Sequence, residues 1–209
     1  MRKDIIVNLK RFKLLDYVTL NKVFILLCVL FIAGITIGSV IYPKNLTITE
    51  FSKNFFENYI TVHNSNSFFK KLFVCFLKYL VVLLLYFLSG TSMLGIAVIP
   101  FLTVWQGIAF GNVSAYLYAE HALKGIAFNA IILVPPSIIF TICTFFAAKE
   151  SINFSLLLAK LTLPKSKPAN IYTDFRKYCA RFIIFVAVSF VASMADVALN
   201  LLFLHFFDF

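Results

Sequence analysis

The sequence predicts an all-α polytopic membrane protein. It should have five transmembrane helices, a cytoplasmic N-terminus, an external C-terminus and a short external amphipathic helix. Three observations predict this. First, 61% of the 209 residues are hydrophobic and only 13% are charged, whereas a soluble domain carries roughly 45–50% and about 25%. Second, the apolar residues fall in runs of spanning length. Third, the Lys and Arg residues collect in alternate loops. The low charged fraction argues against a soluble enzyme, a soluble DNA binder and a disordered tail, despite the formal net charge of +10.

A spanning helix needs about 20 mostly apolar residues. The first span is Val23–Ile41, between Lys22 and Pro43. The second and third share the 41 positions from Tyr79 to Ala119, which hold no charged residue. That is too long for one crossing and predicts two, with the turn at Ser89-Gly90-Thr91-Ser92 or shortly after. The fourth is Gly125–Ala147 and the fifth is Phe182–Leu204. Pro135-Pro136 falls mid-way along span four. Two prolines remove two donors and clash with the preceding turn, so a kink or break is expected there. The resulting organisation is a basic cytoplasmic segment at 1–22, one membrane domain at 23–204 and an external tail at 205–209.

Orientation follows from the basic residues. The N-terminal segment and the segment 149–181 together hold 13 Lys and Arg, and the opposite side holds six. The first group is therefore placed in the cytoplasm. With the acidic residues included, the two sides carry +9 and +2, and Asp196 within span five supplies the remaining −1. The positive balance reads as an orientation signal, and no nucleic-acid partner is expected. The bilayer is the expected surrounding.

The larger external piece is 42–71. Thr47-x-x-Glu50 reads as a capping box. Apolar residues then recur at Ile48, Phe51, Phe55, Tyr59 and Val62, close to helical spacing. This predicts an amphipathic helix lying on a partner or the outer leaflet, or packed on the bundle, with Phe51, Phe55 and Tyr59 as its contact residues. In the cytoplasmic segment, Phe154–Leu163 is expected to form a short interfacial helix, and 171–181 to lead helically into span five.

No catalytic constellation stands out, and the chain is expected not to be an enzyme. His63, His121 and His205 are isolated, and Cys28, Cys75, Cys143 and Cys179 lack metal or disulfide spacing. No phosphate-binding glycine loop is present, so neither cofactor nor metal is expected. Asp196 is the one acid inside a span, and an intramembrane charge normally finds a partner or a wet cavity. Lys78, read as opening span two on the same side, is the partner expected for it. Gly34-x-x-x-Gly38 and Gly107-x-x-x-Gly111 each put two glycines on one helix face. Such a face packs closely within the bundle or against a partner.

The run Gly90-Thr-Ser-Met-Leu-Gly95, Pro100 and Trp105-Gln-Gly107-Ile-Ala-Phe-Gly111 resembles the glycine, proline and K-G-F-x-x-G core of the stage II sporulation protein M family. Lys124-Gly125, Pro135-Pro136 and Lys149-Glu-Ser151-Ile-Asn-Phe-Ser155 are similar to the stretches that follow it there. Gln106 stands where that family commonly has Lys. Pro136 and Ser137 stand where wider relatives carry His and Glu, so no role tied to those residues is carried over. The resemblance implies a non-enzymatic subunit of the mother-cell septal or engulfing membrane. It would anchor or recruit two peptidoglycan-degrading partners, stage II sporulation proteins D and P, during engulfment in endospore formation. The other function class considered from the residues is the membrane subunit of a permease or an ATP-driven exporter.

Overall fold

The computed structural model describes residues 22–42, 46–63, 67–161, 171–203 and 205, apart from the side chains of residues 46–49, 51, 62, 63 and 161. The basic residues before Lys22, and Lys165 and Lys167, lie outside the described residues. So do most of the Asn64–Ser67 turn and most of the 205–209 tail. The described residues are helical almost throughout, with no strand among them. The elements are α1 (Lys22–Ile41), α2 (Leu46–His63), α3 (Phe68–Gly90), α4 (Gly95–Phe128), a π-helical turn (Asn129–Leu133), α5 (Val134–Leu161) and α6 (Ile171–Phe203).

Four helical stretches are long and apolar enough to cross a membrane: Lys22–Ile41, Phe68–Gly90, Gly95–Lys160 and Ile171–Phe203. The third has 66 residues, about 100 Å at 1.5 Å per residue, which exceeds three hydrocarbon thicknesses. It folds back instead. Ala122 takes φ 45° and ψ −125° and breaks the helical path. The two arms then pair as an antiparallel hairpin. Asn129 Nδ2 donates to Tyr118 Oη at 2.7 Å near the bend, and Gln106 Nε2 reaches Thr144 Oγ1 at 3.5 Å further along. At Gly125 the arms are so close that a Cβ would strike the Leu117 carbonyl. Glycine is therefore needed three residues past the bend.

Several expected boundaries shift, each for a local reason. Span two does not open near Tyr79. Helix α3 begins at Phe68 and carries Lys70, Lys71 and Lys78 within it, so Lys78 lies about mid-way along the helix and not at its mouth. Long lysine stems pack along apolar surface, and Lys71 is buried, so these residues interrupt the hydropathy pattern without ending the helix. The expected turn at 89–92 is present: α3 stops at Gly90 and α4 starts at Gly95. The prolines do not break span four. Pro135 and Pro136 directly follow the π-helical turn, inside a continuous helical stretch. The preceding turn widens so that Val134 N–H bonds to the Asn129 carbonyl, five residues back. The short helix expected over Phe154–Leu163 is not separate, because α5 runs unbroken to Leu161.

The core has two parts. One gathers Leu27, Leu83, Tyr86, Ile99, Phe140, Phe145, Ala148, Phe154, Tyr178 and Phe182 from α1 and α3–α6. The other places Phe56 and Tyr59 of α2 among Tyr42, Tyr116, Leu117, Phe128 and Ile132. Outside both, large apolar side chains such as Val29, Ile32, Leu88, Phe101, Trp105, Ile183 and Ile184 are exposed. That surface suits a lipid solvent.

Candidate functional site

Two arrangements draw the functional residues of the sequence together. The first is a glycine seam. On α1 the buried positions are Leu27, Gly34 and Gly38, with Phe24, Cys28 and Phe31 half-buried against the core. On α4, Gly107 and Gly111 are buried opposite them. A Cβ on Gly34 would lie 2.5 Å from the Val104 carbonyl oxygen and 3.1 Å from the Gly107 Cα. One on Gly38 would strike the Ile108 carbonyl, one on Gly107 that of Phe31, and one on Gly111 that of Ile35. Every obstacle is backbone, so no side-chain rotation relieves it. The two G-x-x-x-G faces pack against each other within the chain, and the seam rests on direct backbone contact.

The second arrangement is polar. Tyr59 Oη of α2 donates to Asp196 Oδ1 of α6 at 2.7 Å. Asn200 Nδ2, one turn along α6, reaches Tyr59 Oη at 2.6 Å, the Asp196 backbone oxygen at 2.8 Å and Asp196 Oδ1 at 3.1 Å. All three residues are buried. Burial, and then the adjacent Asp196 carboxyl, push the Tyr59 phenol well above its ordinary range, so it remains a protonated donor. Helix α2 is thereby tied to α6 through a buried hydrogen bond. Of the readings open for the apolar stripe of α2, Tyr59 follows packing on the bundle, where its hydroxyl meets Asp196. The buried face of α2 is Ser52, Phe56 and Tyr59. Phe55 is 37% exposed, and the Phe51 side chain lies outside the described residues.

Lys78 and Asp196 line one cavity of about 360 Å³. No ion pair within 4.0 Å joins them. Tyr59 stands between, bonded to Asp196 while the Lys78 ammonium lies 5.6 Å from its ring centroid and 5.3 Å from that of Phe55. The Lys78 charge is therefore held against aromatic faces.

A polar ladder starts from Gln106, which also lines the cavity. Tyr86 Oη donates to Gln106 Oε1 at 3.3 Å and meets Thr103 Oγ1 at 3.2 Å, while Gln106 Nε2 points to Thr144. Sequence reasoning marked Gln106 only as a departure from a family pattern. Here its amide, both donor and acceptor, bridges α3 and α5. A further clamp holds the α3–α4 turn. Ser155 Oγ donates to the Ser92 carbonyl at 2.7 Å, and Tyr178 Oη donates to the Phe87 carbonyl and meets Ser151 Oγ, each at 3.0 Å. Gly90 lies so close that a Cβ would meet the Tyr178 hydroxyl and the Ser151 backbone. The Gly90–Gly95 and Ser151–Ser155 stretches are thus neighbours in space. Arg181 and Glu150 pair beside them.

These stretches belong to one family. The profile described as Stage II sporulation protein M matches residues 27–196. The chain belongs to the stage II sporulation protein M family. The match takes in both glycine motifs, the α3–α4 turn, the proline pair and Asp196. No curated protein and no solved structure matches the chain. Family membership makes this a sporulation-related membrane protein, and the family is not a known enzyme family. Among the described residues, no group of three or more His, Cys, Asp or Glu is arranged to hold a metal ion.

Proposed function

We propose that the protein is a non-enzymatic membrane scaffold that anchors or recruits septal peptidoglycan hydrolases during engulfment in endospore formation. The family match over residues 27–196 carries this reading. Counting the two arms of the Gly95–Lys160 hairpin separately gives five spans. The uneven lysine and arginine count supports a cytoplasmic N-terminus and an external α2, on the side where wall hydrolases act. Stage II sporulation proteins D and P are the partners proposed. The mother-cell septal membrane is the proposed location.

The contact surface proposed is the outward side of α2. Its inner face is used up by Ser52, Phe56 and Tyr59, while Lys53, Asn54, Phe55, Glu57, Asn58 and Thr61 are exposed. Polar groups beside an exposed aromatic make a surface of the mixed kind that non-obligate interfaces use. Affinity capture of the tagged full chain from detergent-solubilised membranes of sporulating cells tests the proposal. A peptidoglycan hydrolase should co-elute, and Phe55→Ala with Asn58→Ala should reduce its yield. An eluate free of wall hydrolases would sink the reading.

A further inference from the structure

The cavity between the helices has features that a scaffold role leaves unexplained. It is elongated. Its wall runs from Gln106 to Ser114 on α4 and from Asn129 to Thr141 past the π turn, about 12 Å and 18 Å at 1.5 Å per residue. Its volume of about 360 Å³ falls within the roughly 300–1,000 Å³ of small-molecule sites. Its walls are mainly apolar, with Phe31, Val82, Phe110 and Phe140 among them. It also reaches the outside, since Phe55 and Ala109 on its rim are exposed.

Of the polar side chains in this lining, which include Gln106, Ser114 and Thr141, three bear on the guest. Lys78 supplies a cation that forms no ion pair within 4.0 Å among the described residues. Asp196 supplies a carboxylate. Asn129, only 2% exposed, has an Oδ1 with no hydrogen-bond partner among the described residues. Burying charge is expensive unless it is matched. With both side chains ionised, the cavity carries one charge of each sign, so an electroneutral guest with both charges matches it and a singly charged guest does not. The two acceptors, Asp196 and Asn129 Oδ1, call for a cation that still has N–H bonds to donate. The remaining apolar length calls for a hydrocarbon chain. Among bilayer lipids that combine a phosphate, a primary ammonium and alkyl chains, those with an ethanolamine head are electroneutral, whereas serine-headed ones carry a net negative charge.

We infer that this cavity binds one phospholipid with an ethanolamine-type head. Its phosphate meets Lys78, its ammonium meets Asp196 and Asn129, and one acyl chain lies in the apolar shaft. Choline lipids lack the N–H donors. Glycerol-headed lipids bring a net negative charge that leaves the site unbalanced.

The test is native mass spectrometry of the purified full chain, incubated with an equimolar mixture of dioleoyl phosphatidylethanolamine, phosphatidylcholine and phosphatidylglycerol. One retained ethanolamine lipid is expected, preferred about tenfold over each of the others. Asp196→Asn should bring the ethanolamine-to-choline ratio close to one. Because that ratio is read within one sample, loss of folded protein does not change it. Ser137→Phe, which fills the shaft without touching either charge, should remove the bound lipid while the unfolding temperature stays near that of the parent. Equal retention of the three lipids by the parent chain, or none, would overturn the inference. So would an ethanolamine preference that survives Asp196→Asn, or wild-type retention by Ser137→Phe.

Discussion

The α1–α4 seam and the α2–α6 junction are two ways of holding a helix to the same bundle. The seam has no side chains in its centre: glycine meets backbone, and a single added methyl group has nowhere to go. The junction is the reverse. One tyrosine crosses the gap to a buried carboxylate, and a cavity remains beside it. In lipid there is no hydrophobic drive between helices, so close packing and interhelical hydrogen bonds carry association. The seam draws on the first and the junction on the second. The seam therefore tolerates no enlargement and the junction no loss of polarity.

The largest effect is expected at the seam. Gly107→Val would push a branched side chain into the Phe31 carbonyl and the Gly34 backbone. Overpacking costs about 1–3 kcal/mol where neighbours can yield, and backbone on both sides yields little. Folded yield in detergent should collapse, while Ile37→Val, on the outward face of α1, should leave it unchanged. Near-normal yield for Gly107→Val would mean that the helices are not in backbone contact.

A smaller effect is expected at the junction. Asp196→Leu removes the carboxylate acceptor of the Tyr59 hydroxyl, at about 1–3 kcal/mol, while the Asn200 amide keeps the backbone oxygen of residue 196. Asp196→Asn retains an acceptor and should lose less. The readout is protease cleavage within α2, which should accelerate in the leucine variant and change little in the asparagine variant. If both are cleaved alike, the hydrogen bond is not what holds α2.

The smallest change is expected at the α3–α4 turn. Ser155→Ala removes one hydrogen bond to the Ser92 carbonyl, worth about 1 kcal/mol. Amide exchange at 91–94 should quicken while the α1–α4 seam keeps its protection. Unchanged exchange at the turn would show that the serine does not hold it.

The seam was largely legible in the sequence and the junction was not. The G-x-x-x-G spacing puts glycines on one helical face whatever surrounds them, and the uncharged run from Tyr79 to Ala119 had to turn near Ser89–Ser92. Spacing names a face but not its neighbour, and only the fold shows that the two motifs meet. Asp196 stood out as a lone intramembrane acid. Its tyrosine partner, 137 positions away in sequence, carried no signal, since Tyr59 fits an outward amphipathic stripe equally well. The reversal near Ala122 was legible as a boundary, because the uncharged run ends at Ala119 and span four opens at Gly125, but its backbone form was not. Glu120-His-Ala-Leu holds neither Gly nor Pro, and the sequence mark of the close approach, Gly125, sits three residues later. The proline pair signals a disturbance, a kink or a break, and the disturbance takes the form of a π turn just before it.

The most direct measurement of the scaffold account is septal wall thickness and membrane migration, followed by microscopy in a sporulating strain of the host that lacks this protein. The account predicts a septum that keeps its peptidoglycan and a mother-cell membrane that fails to advance around the forespore, both restored by the wild-type chain. Septal thinning and engulfment at the normal rate in the deletion strain would contradict it.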